Sequence, residues 1–285
     1  MSTFRQYTRD DSFTKFAHVQ KIIPILTEYQ IALAFARDYD ENGKPTNGMF
    51  KPYWDTKKVT ADKIIQFKNE NPNLQVNVFI SIGDRDAKYP FKPTDKDSWV
   101  SNATNSIEGI INDYFQPLEG IVGIGIDVYY EHVGDEDDFA RYVGQLIKNL
   151  KEKHLISLAS IAPSSELKNV YLKLYQQYDD SIDFVDYQFY NEKEPIPDTG
   201  KFLEVYEKIA GKFPPKNKIL AGYSSVRKDW ANLAPIVFFI AGTIIVVTGQ
   251  AHGASIWDID SGVPAGWELS LPFGLMLPPE SHKST

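Results

Sequence analysis

Asp127, Tyr129 and Glu131 occupy alternate positions of the stretch GIGIDVYYEH, residues 123–132. Alternate residues of a strand project to one face, so the three side chains share one side of an otherwise apolar segment. Carboxylates at the end of a buried strand mark a site, and here a tyrosine stands between them. Other polar and aromatic residues sit where further apolar runs end: Tyr7, Arg37, Ser81, Asp84, Gln188, Tyr190, Asn191, Tyr223, Trp257 and Asp258. The set is rich in rings and carboxylates and poor in histidine. Rings stack on sugar faces, while carboxylates and amides bond hydroxyls, so the chemistry it suits is that of a carbohydrate cleft.

The elements that must carry these residues are short apolar runs at 3–8, 30–39, 74–83, 123–130, 155–163, 182–191, 218–225 and 253–260. Helix-length stretches separate them. Eight such runs predict a single α/β domain over 1–285, a parallel (β/α)8 TIM barrel with its chemistry at the C-terminal strand ends. Helices are expected at 60–72, opened by a Thr N-cap and stopped by Pro, at 135–153, acidic at its start and basic at its end, and at 202–215. The acidic run Asp135–Asp138 reads as a solvated helix start rather than a metal site.

The 285 residues carry a net charge of −8 and no basic patch, which excludes nucleic acid and anionic membrane as natural partners. Phosphate-binding glycine loops, zinc-type spacings and EF-hand loops are absent, so no cofactor or metal is expected. There is no cysteine, hence no disulfide framework. The start, MSTFRQYTRDDSF, lacks an apolar leader, and a cytoplasmic location is expected. Asn102-Ala103-Thr104 is a glycosylation sequon that matters only in a secreted chain. The run IVFFIAGTIIVV, 236–247, is shorter than the roughly 20 residues a bilayer span needs and is expected to be a buried helix or strand. From Ala231 to Pro279 the acidic and basic residues are Asp258, Asp260 and Glu268 alone, and the segment after Asp260 shows no clear amphipathic helix.

Four elements, in order along nearly the whole chain, resemble glycoside hydrolase family 18, the chitinases. The family motif Asp-Gly-x-Asp-x-Asp-x-Glu closes the fourth strand, and the matching positions here run from Ile124 to Glu131. The third-strand Ser-x-Gly-Gly appears as Ser81, Ile82, Gly83 and Asp84. The sixth-strand Gln-Phe-Tyr-Asn is intact as Gln188, Phe189, Tyr190 and Asn191, and the eighth-strand tryptophan is Trp257. FRQY near the start, WVSNA at 99–103 and VDYQF at 185–189 are similar to the narbonin-type plant proteins, a subgroup without the activity.

The resemblance implies substrate-assisted chemistry, in which the substrate's N-acetyl group replaces an enzymic nucleophile. Glu131 corresponds to the acid, Tyr190 to the acetamide clamp, Trp257 to the floor under the sugar and Asp127 to the inner carboxylate. The carboxylate that would orient the acetamide is replaced by Tyr129. A phenol, with a pKa near 10, is neutral at pH 7, so it offers no charge to the cationic intermediate, and its bulk projects into the acetamide's space. Asp84 adds a side chain where the family has glycine, and Arg85 beside it, or another nearby cation, is expected to pair with Glu131 within about 4 Å. The catalytic set Asp127, Tyr129, Glu131 and Tyr190 is therefore vestigial. Gln188, Tyr190, Asn191 and Trp257 remain as sugar-binding residues, with Tyr129 and Asp84 blocking the cleft. The expected function is a monomeric, inactive, storage-type seed protein. The alternatives are a lectin-like binder of chito-oligosaccharide or another glycan, an inhibitor of a glycosidase, and a weak chitinase.

Overall fold

Strand formation follows the apolar runs because β-branched and aromatic residues pack on both faces of a parallel sheet. The computed structural model describes residues 2–16, 19 and 26–257. Eight strands form the barrel: β1 (Thr3–Thr8), β2 (Glu28–Arg37), β3 (Gln75–Asp84), β4 (Gly123–Tyr130), β5 (Leu158–Ile161), β6 (Phe184–Gln188), β7 (Ile219–Ser224) and β8 (Gly253–Trp257). Each pairs in parallel with the next, and β1 pairs with both β2 and β8, which closes the sheet. A two-residue strand, Lys51–Pro52, adds antiparallel to the end of β2. Ser81 lies opposite Asp127, and Asp127 opposite Ser160, so three neighbouring strands deliver these side chains to one level of the barrel.

The expected strands at 155–163 and 182–191 are shorter than their apolar runs. β5 stops at Ile161, and the chain after Gln188 turns into a single 3-10 turn, Phe189–Asn191. The eighth run is a strand as far as Trp257; Asp258, Asp260 and the segment after them lie outside the described residues.

Helices α1 (Ala61–Glu70), α2 (Lys96–Tyr114), α4 (Lys168–Tyr178), α5 (Thr199–Lys212) and α6 (Pro235–Val247) surround the barrel. Between α2 and α4 lies α3, which begins as Glu136–Asp138, passes through a π-helical turn, Phe139–Val143, and continues as Gly144–Glu152. Caps follow local sequence. Thr60 accepts from the Lys63 N–H, and Asp198 from that of Lys201, so α5 starts three residues earlier than its apolar pattern. The acidic run is a helix start: Asp135 accepts from the N–H groups of Asp137 and Asp138, while Asp137 pairs with Lys173 and Asp138 with Lys96. The sequon asparagine, Asn102, sits within α2 and donates to the Asn47 carbonyl at 3.0 Å.

The apolar run at 236–247 is helix α6, but it is not wholly buried. Val237, Phe238, Phe239, Ala241 and Ile245 face the core, whereas Ile236 and Val247 are 58% and 57% exposed and Ile240 and Ile244 38% each. An outer helix has one face to bury, so a helix apolar all round leaves the other uncovered. Among the described residues no helix is long and apolar enough to cross a membrane.

Two apolar layers result. The larger lies between strands and helices; the smaller fills the barrel interior with Ala32, Phe79, Phe184, Leu220 and, at its upper end, Phe35, Tyr129 and Trp257.

Candidate active site

Strand alternation in β1, β4 and β6 points Arg5, Tyr7, Asp127 and Asp186 inward, and all four are at most 3% exposed. Arg5 Nη1 donates to Asp127 Oδ1 at 3.0 Å and to Ser160 Oγ at 2.7 Å, and Arg5 Nε donates to Gln30 at 2.7 Å. Asp127 also accepts from the hydroxyls of Ser81, Ser160 and Tyr7. The Tyr7 oxygen lies 2.9 Å from Asp186 Oδ2, and Ser255 donates to Asp186 Oδ1 at 2.5 Å. The guanidinium rests over the Phe79 ring, 4.3 Å from its centroid. One cation thus faces two carboxylates. Burial pushes the Asp186 carboxyl up to about 6, against the pull of Arg5 and with a further push from Asp127. Below about pH 6 a proton on Asp186 therefore balances the buried charge.

Above this knot sit the residues of the opening motif. Gly83, at a φ of +104°, brings β3 against β4: a Cβ there would lie 2.6 Å from the Tyr129 carbonyl, so the position requires glycine. Tyr129 is 1% exposed, and its ring stacks on Trp257, centroids 5.2 Å apart and planes inclined by 25°. Phe35 stacks on the same indole at 5.5 Å, and Tyr7 meets it at 5.4 Å. The indole is 3% exposed, and its N–H has no partner among the described residues. The Tyr129 hydroxyl donates to Glu131 Oε1 at 3.0 Å, leaving its oxygen to accept from Tyr190 at 2.9 Å. Burial holds both phenols well above their ordinary range, so both are neutral at physiological pH. Burial also raises Glu131, although Arg85 and the Tyr129 hydroxyl pull it back.

Arg85 does not form the expected ion pair. No Lys, Arg or His nitrogen among the described residues lies within 4.0 Å of Glu131. Arg85 instead lies over the Trp257 ring, 5.6 Å from its centroid. A flat guanidinium gains from an aromatic face, and the Glu131 carboxylate is already held by a neutral donor. Asp84 is engaged by Arg37 Nε at 2.5 Å and accepts from the Asp86 N–H at 2.8 Å, which fixes it in the wall of a cavity of about 650 Å³ at the barrel mouth.

Other expected residues are placed apart from this cluster. Gln188 is 2% exposed, donates to the Ala162 carbonyl at 2.9 Å and accepts from Asn191 at 3.4 Å, so its amide is committed to the barrel wall. Asn191 is exposed. Tyr223 faces outward and packs on Phe238 and Phe239 of α6, at 4.8 and 5.4 Å. Sequence reasoning missed Arg5, Ser160, Asp186 and Ser255. A signal was present: Arg5 stands two residues before Tyr7 and Asp186 two before Gln188, charged positions inside apolar strands. Among the described residues no cluster of three His, Asp or Glu could hold a metal ion.

No family model matches the chain. It is 37% identical to the RuBisCO-associated protein of Glycine max over 279 residues, covering 93% of this chain and 94% of that protein. It is 32% identical to Chitinase 1 of Tulipa saxatilis subsp. bakeri over 245 residues, 83% of this chain and 74% of the relative. Among solved structures, the family 18 chitinase of Crocus vernus superposes with a TM-score of 0.75 at 32% identity, covering 90% of this chain and 92% of that one. The catalytic domain of a fern family 18 chitinase superposes with a TM-score of 0.79 at 28% identity, covering 96% and 99%.

Proposed function

The chain belongs to glycoside hydrolase family 18, among its plant chitinase-like members, and from that premise we propose that it is a non-hydrolytic protein of storage type with a degenerate sugar cleft. One observation carries the reading: the Tyr129 ring lies on the Trp257 indole, where a sugar ring would have to stack, and its neutral phenol stands in the position of the family's acetamide-orienting carboxylate. Loss of one well-placed electrostatic group costs about 10²–10³ in rate. The occupied floor removes the binding that would precede the reaction. Glu131 remains, but its partner is a phenol that donates to it rather than a carboxylate that could exchange a proton with it.

The test is incubation with chitotetraose, followed by product analysis and by tryptophan fluorescence. No cleavage, and no saturable fluorescence change up to about 1 mM sugar, is the expected result. Turnover at the roughly 1–10³ per second typical of enzymes would sink the proposal. A saturable signal lost in Trp257→Ala, without cleavage, would favour the lectin-like alternative. Abundance confined to seed tests the storage role.

A second reading, association with a partner protein, is favoured by the uncovered stripe Ile236, Ile240, Ile244 and Val247 on α6. The soybean relative is named for association with RuBisCO. In that reading the outer surface, not the cleft, carries the function.

A further inference from the structure

Arg9, Arg37, Arg85 and Lys228 line the cavity of about 650 Å³ at the barrel mouth, together with Asp84 and Asp86. Among the described lining residues positive charge is in excess, although the chain as a whole carries −8. Asp84 is already neutralised by Arg37 at 2.5 Å. Asp86 is exposed, and one of its oxygens accepts from the Lys88 N–H at 3.0 Å. Arg9, Arg85 and Lys228 form no ion pair with any described residue.

Two of these arginines also share a neighbour. Arg9 and Arg85 lie over the same Trp257 ring, 5.9 and 5.6 Å from its centroid. Like charges brought to one aromatic ring repel each other, and Arg85 is only partly exposed, so solvent screens it incompletely. Glu131 acts on Arg85 but stays beyond ion-pair distance. A guanidinium presents a planar fork of N–H donors that matches the oxygens of a phosphate. A cavity of this size falls within the range for small-molecule sites. The wall behind the cations is itself braced, because Arg37 is clasped between the Tyr53 and Tyr89 rings at 4.5 and 4.4 Å.

We propose that this cavity binds a small, multiply charged phosphate ester, with Arg9, Arg85 and Lys228 holding its phosphate oxygens. A neutral oligosaccharide offers these cations no charge to pair with. The inference goes beyond the loss of hydrolysis proposed above and does not depend on it.

The test uses the full chain and isothermal titration calorimetry at low ionic strength. Inorganic pyrophosphate is the probe, and citrate is the control for a carboxylate of similar charge. Pyrophosphate is expected to bind saturably below about 1 mM and more tightly than citrate. Affinity should weaken as salt is raised toward about 0.3 M, where the Debye length is well below 10 Å. Arg85→Gln and Arg9→Gln should each weaken binding by about tenfold or more, the range for one charge-assisted contact, and Lys228→Gln, at an exposed position, should weaken it in the same direction. No binding at about 5 mM pyrophosphate would overturn the proposal. So would citrate binding as tightly, or pyrophosphate binding unchanged in the folded Arg9→Gln, Arg85→Gln double variant.

Discussion

At the scale of single residues, Tyr129 ties three neighbours together: it stacks on Trp257, donates to Glu131 and accepts from Tyr190. Tyr129→Phe keeps the ring and removes the hydroxyl. It should cost about 1 kcal/mol of stability, the usual worth of a hydrogen bond. It should also push the Glu131 carboxyl further above its ordinary range, because burial then acts without that donor. Carbon-13 NMR titration of the Glu131 side chain reads the shift; an unchanged or lowered value would contradict the bond. Asp186 gives a second residue-scale prediction. Its folded-state carboxyl holds a proton up to about 6, whereas an unfolded aspartate releases it near 3.9. Between these values the folded state binds more protons, so stability falls as pH rises through the window. The difference is on the order of 3 kcal/mol. Urea denaturation from pH 4 to pH 7 should show this slope relative to Asp186→Asn, which lacks the titrating group; identical slopes would refute it.

At the scale of elements, the helices rest on local signals and the strands on neighbours. The Asp198 cap of α5 accepts the Lys201 N–H at 2.8 Å. Asp198→Ala should therefore cost about 1 kcal/mol, read as a lowered Tm without loss of the fold. Ile236 on α6 is 58% exposed, and Ile236→Lys should change stability by no more than about 0.5 kcal/mol. The strands depend on one another at the N-terminal end of the barrel. There Glu28 of β2 accepts from Thr3 of β1 at 2.6 Å, from Gln30 at 2.7 Å and from Asn77 of β3 at 2.6 Å. Burial alone would raise this carboxyl; His252, Thr3, Gln30 and Asn77 together bring it below its ordinary value.

At the scale of the whole molecule, the barrel closes around a buried cation. Arg5 reaches from β1 to Asp127 on β4 and Ser160 on β5, and lies 3.6 Å from Asp186 on β6. Arg5→Met leaves Asp127 buried without its charge partner and should cost about 3–5 kcal/mol, measured by urea denaturation. A variant as stable as the parent would mean that the hydroxyls of Ser81, Ser160 and Tyr7 suffice for Asp127. The barrel itself was legible in the chain, because eight apolar runs at helix-length spacing have few other ways to bury both faces. The motif residues were legible too, since Asp127, Tyr129 and Glu131 share a face by strand periodicity alone. Periodicity stops at the face, however, and does not say what each side chain meets. Arg85 is expected beside Glu131 from its place after Asp84 at a neighbouring strand end, and it lies over Trp257 instead. Tyr223 was grouped with the cleft from its place at a strand end and points to α6. Gln188 turned to a backbone carbonyl of the barrel wall. The link from Arg5 to Asp127 joins residues 122 positions apart, and no local pattern encodes it. Residue type and spacing were enough for the architecture and for the neutral group at position 129, since both follow from short-range periodicity and intrinsic chemistry. The stacking of Tyr129 on Trp257 and the gathering of cations at the mouth came from closing the sheet, which brings distant strand ends within contact distance.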